Sequence, residues 1–432
     1  MKILKQSATL SLAMVSFAML VYFMMGDQVA ERRVPLIILS AIGLIWFSRQ
    51  KTVAIIVFLI PLGPILDAAF LTPGRGIYAT EALLLVGSFI WLAEQFRHPH
   101  PWPRPTTPVL FLALYAMVAL LALLAGDYSQ FSVLRMMRQL FLVVMTAIMV
   151  QDLFSRSGAF ESLLKKWTFA TLLSLSLLAL GGIVEFLMTH SEPGSFYRGS
   201  VSLAVHIAFF SPIALSICLS TWSPNWRIAG ATAWTLSIIC LPLTASRGAM
   251  GSVFVSSLAL LLVATIRGRQ LGWRPLLLVF VIALAGIALL ANPEIAGENF
   301  AYKVQASLKG DFFSTRTSQW KNGIDALKIS PLVGQGPQAS SNSIPLEMAQ
   351  RHGIPAALLL LISIFIAMIS PIRHAWSLDF SSNPIIWGVT FGILGFLLVG
   401  LAETGLGART TPFLVMVVVI SSLWKSKKEF IQ

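Results

Sequence analysis

The chain has 432 residues, of which 56% are hydrophobic and 11% charged, with a mean hydropathy of +0.80, whereas a soluble domain carries roughly 25% charged residues. This composition excludes an ordinary soluble enzyme and assigns the chain to the membrane class. The formal net charge of +13 is what orientation signals at helix ends give to a basic protein embedded in lipid, and it is read that way in preference to a nucleic-acid partner.

A spanning helix needs about 20 mostly apolar residues, and such stretches recur from end to end with one long polar interruption. Taken in order, the candidate spans are 8–25, 34–47, 52–71, 80–96, 108–125, 133–153, 168–189, 203–221, 228–244, 250–266, 276–291, 354–371, 385–401 and 408–424. The first resembles a signal peptide in its opening charge, but no clean small-residue cleavage pattern follows it, so it is read as retained. The second is short, which leaves twelve to fourteen spans. Lipid offers no partners to free backbone groups, so only helices fit. The expectation is an all-α integral membrane protein, one polytopic domain over 1–432, with a long, partly helical outer loop over 291–353. Cys218 and Cys240 both fall inside apolar runs; they support neither a disulfide framework nor a zinc site and are read as core residues. No metal or cofactor is expected.

With the N-terminus in the cytoplasm, more than half of the 31 Lys and Arg, including the closing KSKK run, fall inside. Both termini are then cytoplasmic. The outer minority in short loops and at helix ends is all arginine: Arg32, Arg33, Arg75, Arg135, Arg138, Arg198, Arg247 and Arg409. Arginine is the planar, bidentate binder of phosphate, and charge placed against the orientation rule calls for compensation. A diphosphate would supply it, and so would outer acids such as Asp27, Glu31, Glu185 and Glu403. Ionisable side chains sit near span ends and not at mid-depth, which argues against a proton relay or ion pathway.

A segment as long as 291–353 without an apolar stretch is usually functional. Arg316 and Trp320, four apart, share one face of a short helix. The cluster Pro331 to Pro337 (PLVGQGP) breaks that helix in a tight turn. A second helix starts near Asn342 or Ser343 as cap, with Pro345 in its first turn.

The order of Arg316, Trp320, the Ala326-Leu327 pair, PLVGQGP, a polar helix start and Gly353 before an apolar span resembles the loop of the O-antigen ligase and polymerase family. Leu243 to Ala249 (LTASRGA) resembles a second hallmark of that family, and Arg198-Gly199 ahead of the span from Leu203 resembles a third. Together they cover roughly residues 190–365. The resemblance implies a metal-independent membrane glycosyltransferase of the bacterial inner membrane. It would take a glycan from undecaprenyl pyrophosphate and join it to a glycan or lipid A-core acceptor on the periplasmic side, with polysaccharide assembly proteins as further partners. It implies that Arg247 and Arg198 hold the diphosphate, with Arg316 and Lys303 as further candidates. Fixed guanidinium groups in a dry site suit charge that develops on a leaving group.

One departure bears on the chemistry. Ligases of that family carry a histidine eleven residues before the glycine that opens the next span, and the corresponding residue here is Asn342. An amide takes no proton at neutral pH. His352 stands about 15 Å further along if the stretch is one helix and is read first as a polar residue at the membrane interface. Glu347 is the nearest carboxylate able to receive the acceptor's proton, with Glu403 and Glu185 as other choices, and Asn342 would orient the acceptor. His206 is read as a helix-packing residue. A ligase and a polymerase both fit this pattern. A polysaccharide-lipid flippase and an inactive scaffold of the same family are the competing readings.

Overall fold

The structure is a computed structural model that describes residues 54–70 (without 56), 79–97, 104–156 (without 127 and 129), 160–194, 199–267, 305, 312–336, 339, 341, 343–376, 380, 383–402 and 411–423. The expected spans 8–25, 34–47 and 276–291 lie outside these residues, as do Arg32, Arg33, Arg75, Arg198, Lys303, Asn342, Glu403 and Arg409. The chain divides into two compact units, residues 1–102 and 103–432. In the first, a 3-10 turn at Ile60–Leu62 runs into α1 (Gly63–Phe70), and α2 (Ala79–Arg97) follows. Gly63 lies so close to Thr80 that a Cβ there would stand 2.7 Å from its Oγ1.

The second unit contains α3 (Thr107–Ala125), α4 (Gln130–Arg156), α5 (Phe160–Thr189), α6 (Ser200–Cys218), α7 (Pro224–Leu243), α8 (Arg247–Ile266), α9 (Phe312–Ile329), α10 (Ile344–Ala375), α11 (Pro384–Ala402) and α12 (Thr411–Leu423). Among the described residues eight helices are long and apolar enough to cross a membrane, namely α3 to α8, α10 and α11, and no strand occurs. This is an all-α integral membrane protein. Hydroxyls within the spans turn back onto their own helix, as Thr168 does to the Leu164 carbonyl and Ser237 to that of Ala233. A lone hydroxyl in an apolar helix is satisfied locally in this way.

Helices α6 and α11 are buried along most of their length and form the centre. Small residues let them touch: a Cβ on Gly392 or Gly395 would stand 2.5 Å from the Phe209 carbonyl or 2.6 Å from that of Ala208. Without a hydrophobic drive between helices in lipid, such close backbone approach supplies the packing.

These contacts also sort the helix ends. Gly388 meets Ser216, and Gly400 meets Ile344, so the end of α11 lies beside the start of α10. Gly395 faces Ser256 on α8, while Leu260 and Ala264 share a core with Trp387 and Phe391. Helix α8 is therefore antiparallel to α11, and its first residue, Arg247, lies toward the Gly400 end. Gly182 on α5 meets Cys240 and Leu203, which brings the end of α7 and the start of α6 to that same end. On α3, Ser363 bonds the Pro108 carbonyl and Tyr115 reaches Met348, so α3 runs antiparallel to α10 and its C-terminus points the same way. The polar loop from α9 into α10 sits at this end. The opposite end carries Lys165, Arg227, Arg267 and Arg373 among Trp222, Trp226 and Trp376, with Arg267 4.5 Å over the Trp376 ring and Lys165 5.5 Å over Trp222.

Candidate functional site

The expected helix start near Ser343 and the expected span from 354 both stand within α10, which starts at Ile344 and is broken at Gly353, the residue just ahead of that span. That glycine adopts φ +83°, in the left-handed region that a side chain disfavours. A regular helix would bond the Ile354 N–H to the Gln350 carbonyl; the break severs that bond. Both halves are taken up by the loop: the Ile354 N–H donates to the Pro331 carbonyl at 2.8 Å, and the Gln335 N–H donates to the Gln350 carbonyl at 2.5 Å. In a membrane protein, orphaned backbone groups need such partners. The PLVGQGP segment is thus the piece that completes a broken helix.

Its glycines are required by closeness. A Cβ on Gly334 (φ +78°) would stand 2.6 Å from the Gln350 carbonyl and 2.8 Å from the Gly353 nitrogen. One on Gly353 would strike the Leu332 carbonyl, and one on Gly336 the ring of Tyr128. Tyr128, from the α3–α4 connection, also donates its hydroxyl to the Gly334 carbonyl at 3.4 Å. Burial pushes that phenol above its ordinary pKa, so it stays a donor. Gln335 Nε2 donates to the Ala326 carbonyl at 3.0 Å and Gln350 Nε2 to that of Gly323 at 3.2 Å, which ties α9 to both loop and helix.

Beside this junction lies a charged pair. Glu347 is 3% exposed, and its Oε1 is paired with the Arg351 guanidinium one turn on. Arg351 Nε donates in turn to the Ala339 carbonyl at 2.9 Å, just past the loop. Glu347 Oε2 is buried with no hydrogen-bond partner, as are Gln350 Oε1, His352 Nδ1 and Trp320 Nε1. Buried polar atoms without partners are costly and uncommon.

The remaining expectations fall as follows. Arg316 and Trp320 lie on one helix, α9, which is longer than the short one expected and ends just before PLVGQGP. Ser343 precedes α10, its carbonyl accepting the Glu347 N–H at 2.8 Å. Arg247 opens α8, half-buried, behind Ser246, whose Oγ accepts the Ala249 N–H at 3.3 Å. His352 is 2% exposed, its ring edge-on to Tyr115 of α3 at 6.0 Å. Five residues past Glu347, it stands about 140° around the helix from it. His206 is buried against Phe210 at 4.4 Å between ring centroids, a packing residue. Cys240 is buried, Cys218 half-buried, and both are free thiols.

Sequence reasoning missed Arg351, Gln350, Tyr115 and Tyr128. The spacing of Glu347 and Arg351 is the ordinary helical ion-pair spacing and was a usable signal; nothing local to Tyr128 points to a loop some two hundred residues away.

No curated protein matches the chain. The family model described as O-antigen ligase matches residues 231–400, a stretch that runs from α7 through Arg247, α9, the PLVGQGP loop and the Gly353 break to the end of α11. Over that stretch the chain is similar to the O-antigen ligase and polymerase family, whose members act in glycan assembly.

Proposed function

We propose that the protein transfers a glycan from undecaprenyl pyrophosphate to an acceptor at the periplasmic face of the bacterial inner membrane, in O-antigen, lipopolysaccharide or exopolysaccharide assembly. The acceptor is a lipid A core in a ligase, or a second lipid-linked repeat in a polymerase. The observation that carries this reading is Glu347: a buried carboxylate with one oxygen held by Arg351 and the other without a partner, beside a loop that completes a broken helix, at the end of the bundle where Arg247 also lies.

Each group is assigned a role, that of Arg198, Lys303 and Asn342 resting on the family resemblance alone. Arg247, with Arg198, Arg316 and Lys303, binds the diphosphate and takes up the charge that develops as it leaves. Glu347 Oε2 receives the acceptor hydroxyl's proton. The acceptor oxygen bonds to the anomeric carbon as the carbon–oxygen bond to the diphosphate breaks, the electron pair leaving with the diphosphate. No metal enters this scheme. Asn342 orients the acceptor by hydrogen bonds, and His352, packed under Tyr115, holds α10 against α3. Because Glu347 is closed off, the acceptor reaches it when PLVGQGP shifts from its dock. The basic, tryptophan-lined opposite end supports a cytoplasmic placement by the positive-inside rule.

The test is release of undecaprenyl pyrophosphate from a lipid-linked glycan by purified protein in nanodiscs. We expect release to require acceptor, to collapse in Arg247→Ala, and to fall in Glu347→Gln with donor binding kept. A competent donor and acceptor panel that yields no release would defeat the reading and favour a flippase or scaffold; full activity in Glu347→Gln would remove that residue as the base.

A further inference from the structure

The outward stripe of α10 is apolar and regularly spaced: Ile354, Leu358, Ile362, Phe365 and Ile369 are all exposed, at the three- and four-residue steps of one helix face. In a membrane helix this is the face that meets lipid. It does not end at the top of the helix. The Ile354 N–H is bonded to the Pro331 carbonyl, and the Leu332 carbonyl lies against Gly353, so Leu332 stands directly at the head of the stripe. Its side chain is 70% exposed, and Ile329, three residues before it, is 80% exposed. Lys328, exposed and paired with Asp325 at 2.7 Å, and Lys321 flank them on α9. Two large aliphatic side chains so open to water are not a stabilising arrangement, and apolar groups bordered by lysines are the composition of a segment that lies in a bilayer interface.

We infer that the junction from Ile329 to Val333 is embedded in the outer interface of the bilayer, with Ile329 and Leu332 inserted into phospholipid as an extension of the α10 lipid face. The occupant is bilayer phospholipid, argued from continuity with the lipid-facing stripe and from the flanking cations. This rests on the membrane fold and, for the word outer, on the periplasmic placement proposed above, and not on the proposed reaction. It has a structural consequence: the loop that completes the Gly353 break, beside Glu347, borders hydrocarbon on one side.

The experiment uses the full chain in nanodiscs after replacing its two native cysteines, Cys218→Ala and Cys240→Ala, with single probes introduced as Leu332→Cys and, independently, Ile329→Cys. Each carries an environment-sensitive fluorophore. Leu358→Cys serves as the lipid reference and Asn322→Cys, exposed on α9, as the aqueous one; variants are compared only where they elute as monodisperse protein. We expect the probes at 332 and 329 to emit blue-shifted relative to 322. We also expect nitroxide-labelled lipid to quench them several-fold more than it quenches 322, and iodide several-fold less. Iodide quenching equal to that at 322 would overturn the inference. So would protection from both quenchers, which would mean that protein, another segment or a second copy, covers the patch.

Discussion

At one end of the bundle Arg267 rests on the face of Trp376 and Lys165 on that of Trp222, around a core of Leu215, Leu260, Trp387 and Phe391. At the other, Arg351 is spent on a buried carboxylate and a loop carbonyl, and a helix is broken and mended by a distant segment. The first arrangement anchors: cations over indole rings at a membrane boundary keep their partial hydration and ask little of the backbone. The second needs three glycines at positive φ; buried polar atoms without partners occur at both ends, Arg267 Nε and Trp387 Nε1 at the first and Glu347 Oε2 and Gln350 Oε1 at the second, so the difference lies in the backbone and in the buried ion pair.

The widest break of that contrast should come from Gly353→Val. A side chain at φ +83° strikes the Leu332 carbonyl, and undocking the loop strands the Ile354 N–H and the Gln350 carbonyl. Strain and two buried orphans together cost roughly 5 kcal/mol; thermal unfolding in nanodiscs should fall furthest in this variant. Next, Arg351→Ala leaves Glu347 buried and unpaired, a loss of about 3 kcal/mol. The double variant Glu347→Leu/Arg351→Met removes both charges and should recover most of that stability while remaining without transferase activity. Recovery of both would separate Glu347 from catalysis. Tyr128→Ala removes the ring that seats Gly336, for about 2 kcal/mol, whereas Tyr128→Phe, losing only a 3.4 Å hydrogen bond, should be near neutral; limited proteolysis around residues 331–339 reads both. The smallest effect belongs to the anchoring end. Arg267→Gln forfeits a cation–π contact worth about 0.5–1 kcal/mol and should leave turnover unchanged. A turnover loss there comparable to that of Arg351→Ala would erase the distinction between the ends.

Much of this was legible beforehand for a definite reason. Apolar length dictates spans, so α3 to α8, α10 and α11 fall where hydropathy puts them. The helix carrying Arg316 and Trp320, its stop before Pro331 and the restart near Ser343 followed from glycine and proline placement. The polar helix from Ile344 and the span from Ile354 were read as separate pieces, and the break at Gly353 divides them there. That His352 packs on Tyr115 was not legible, because Tyr115 is contributed by α3 and no local pattern encodes that packing.

By itself the sequence determined the membrane class, the helical architecture and the polar segment between spans, because each depends on hydropathy, spacing and backbone preference within a few residues. Only the tertiary structure decided that PLVGQGP mends the Gly353 break, that Tyr128 seats it, and that Glu347 is buried with one oxygen held by Arg351. The first two are pairings between segments far apart in the chain, where satisfaction of buried backbone groups, not local propensity, selects the partner.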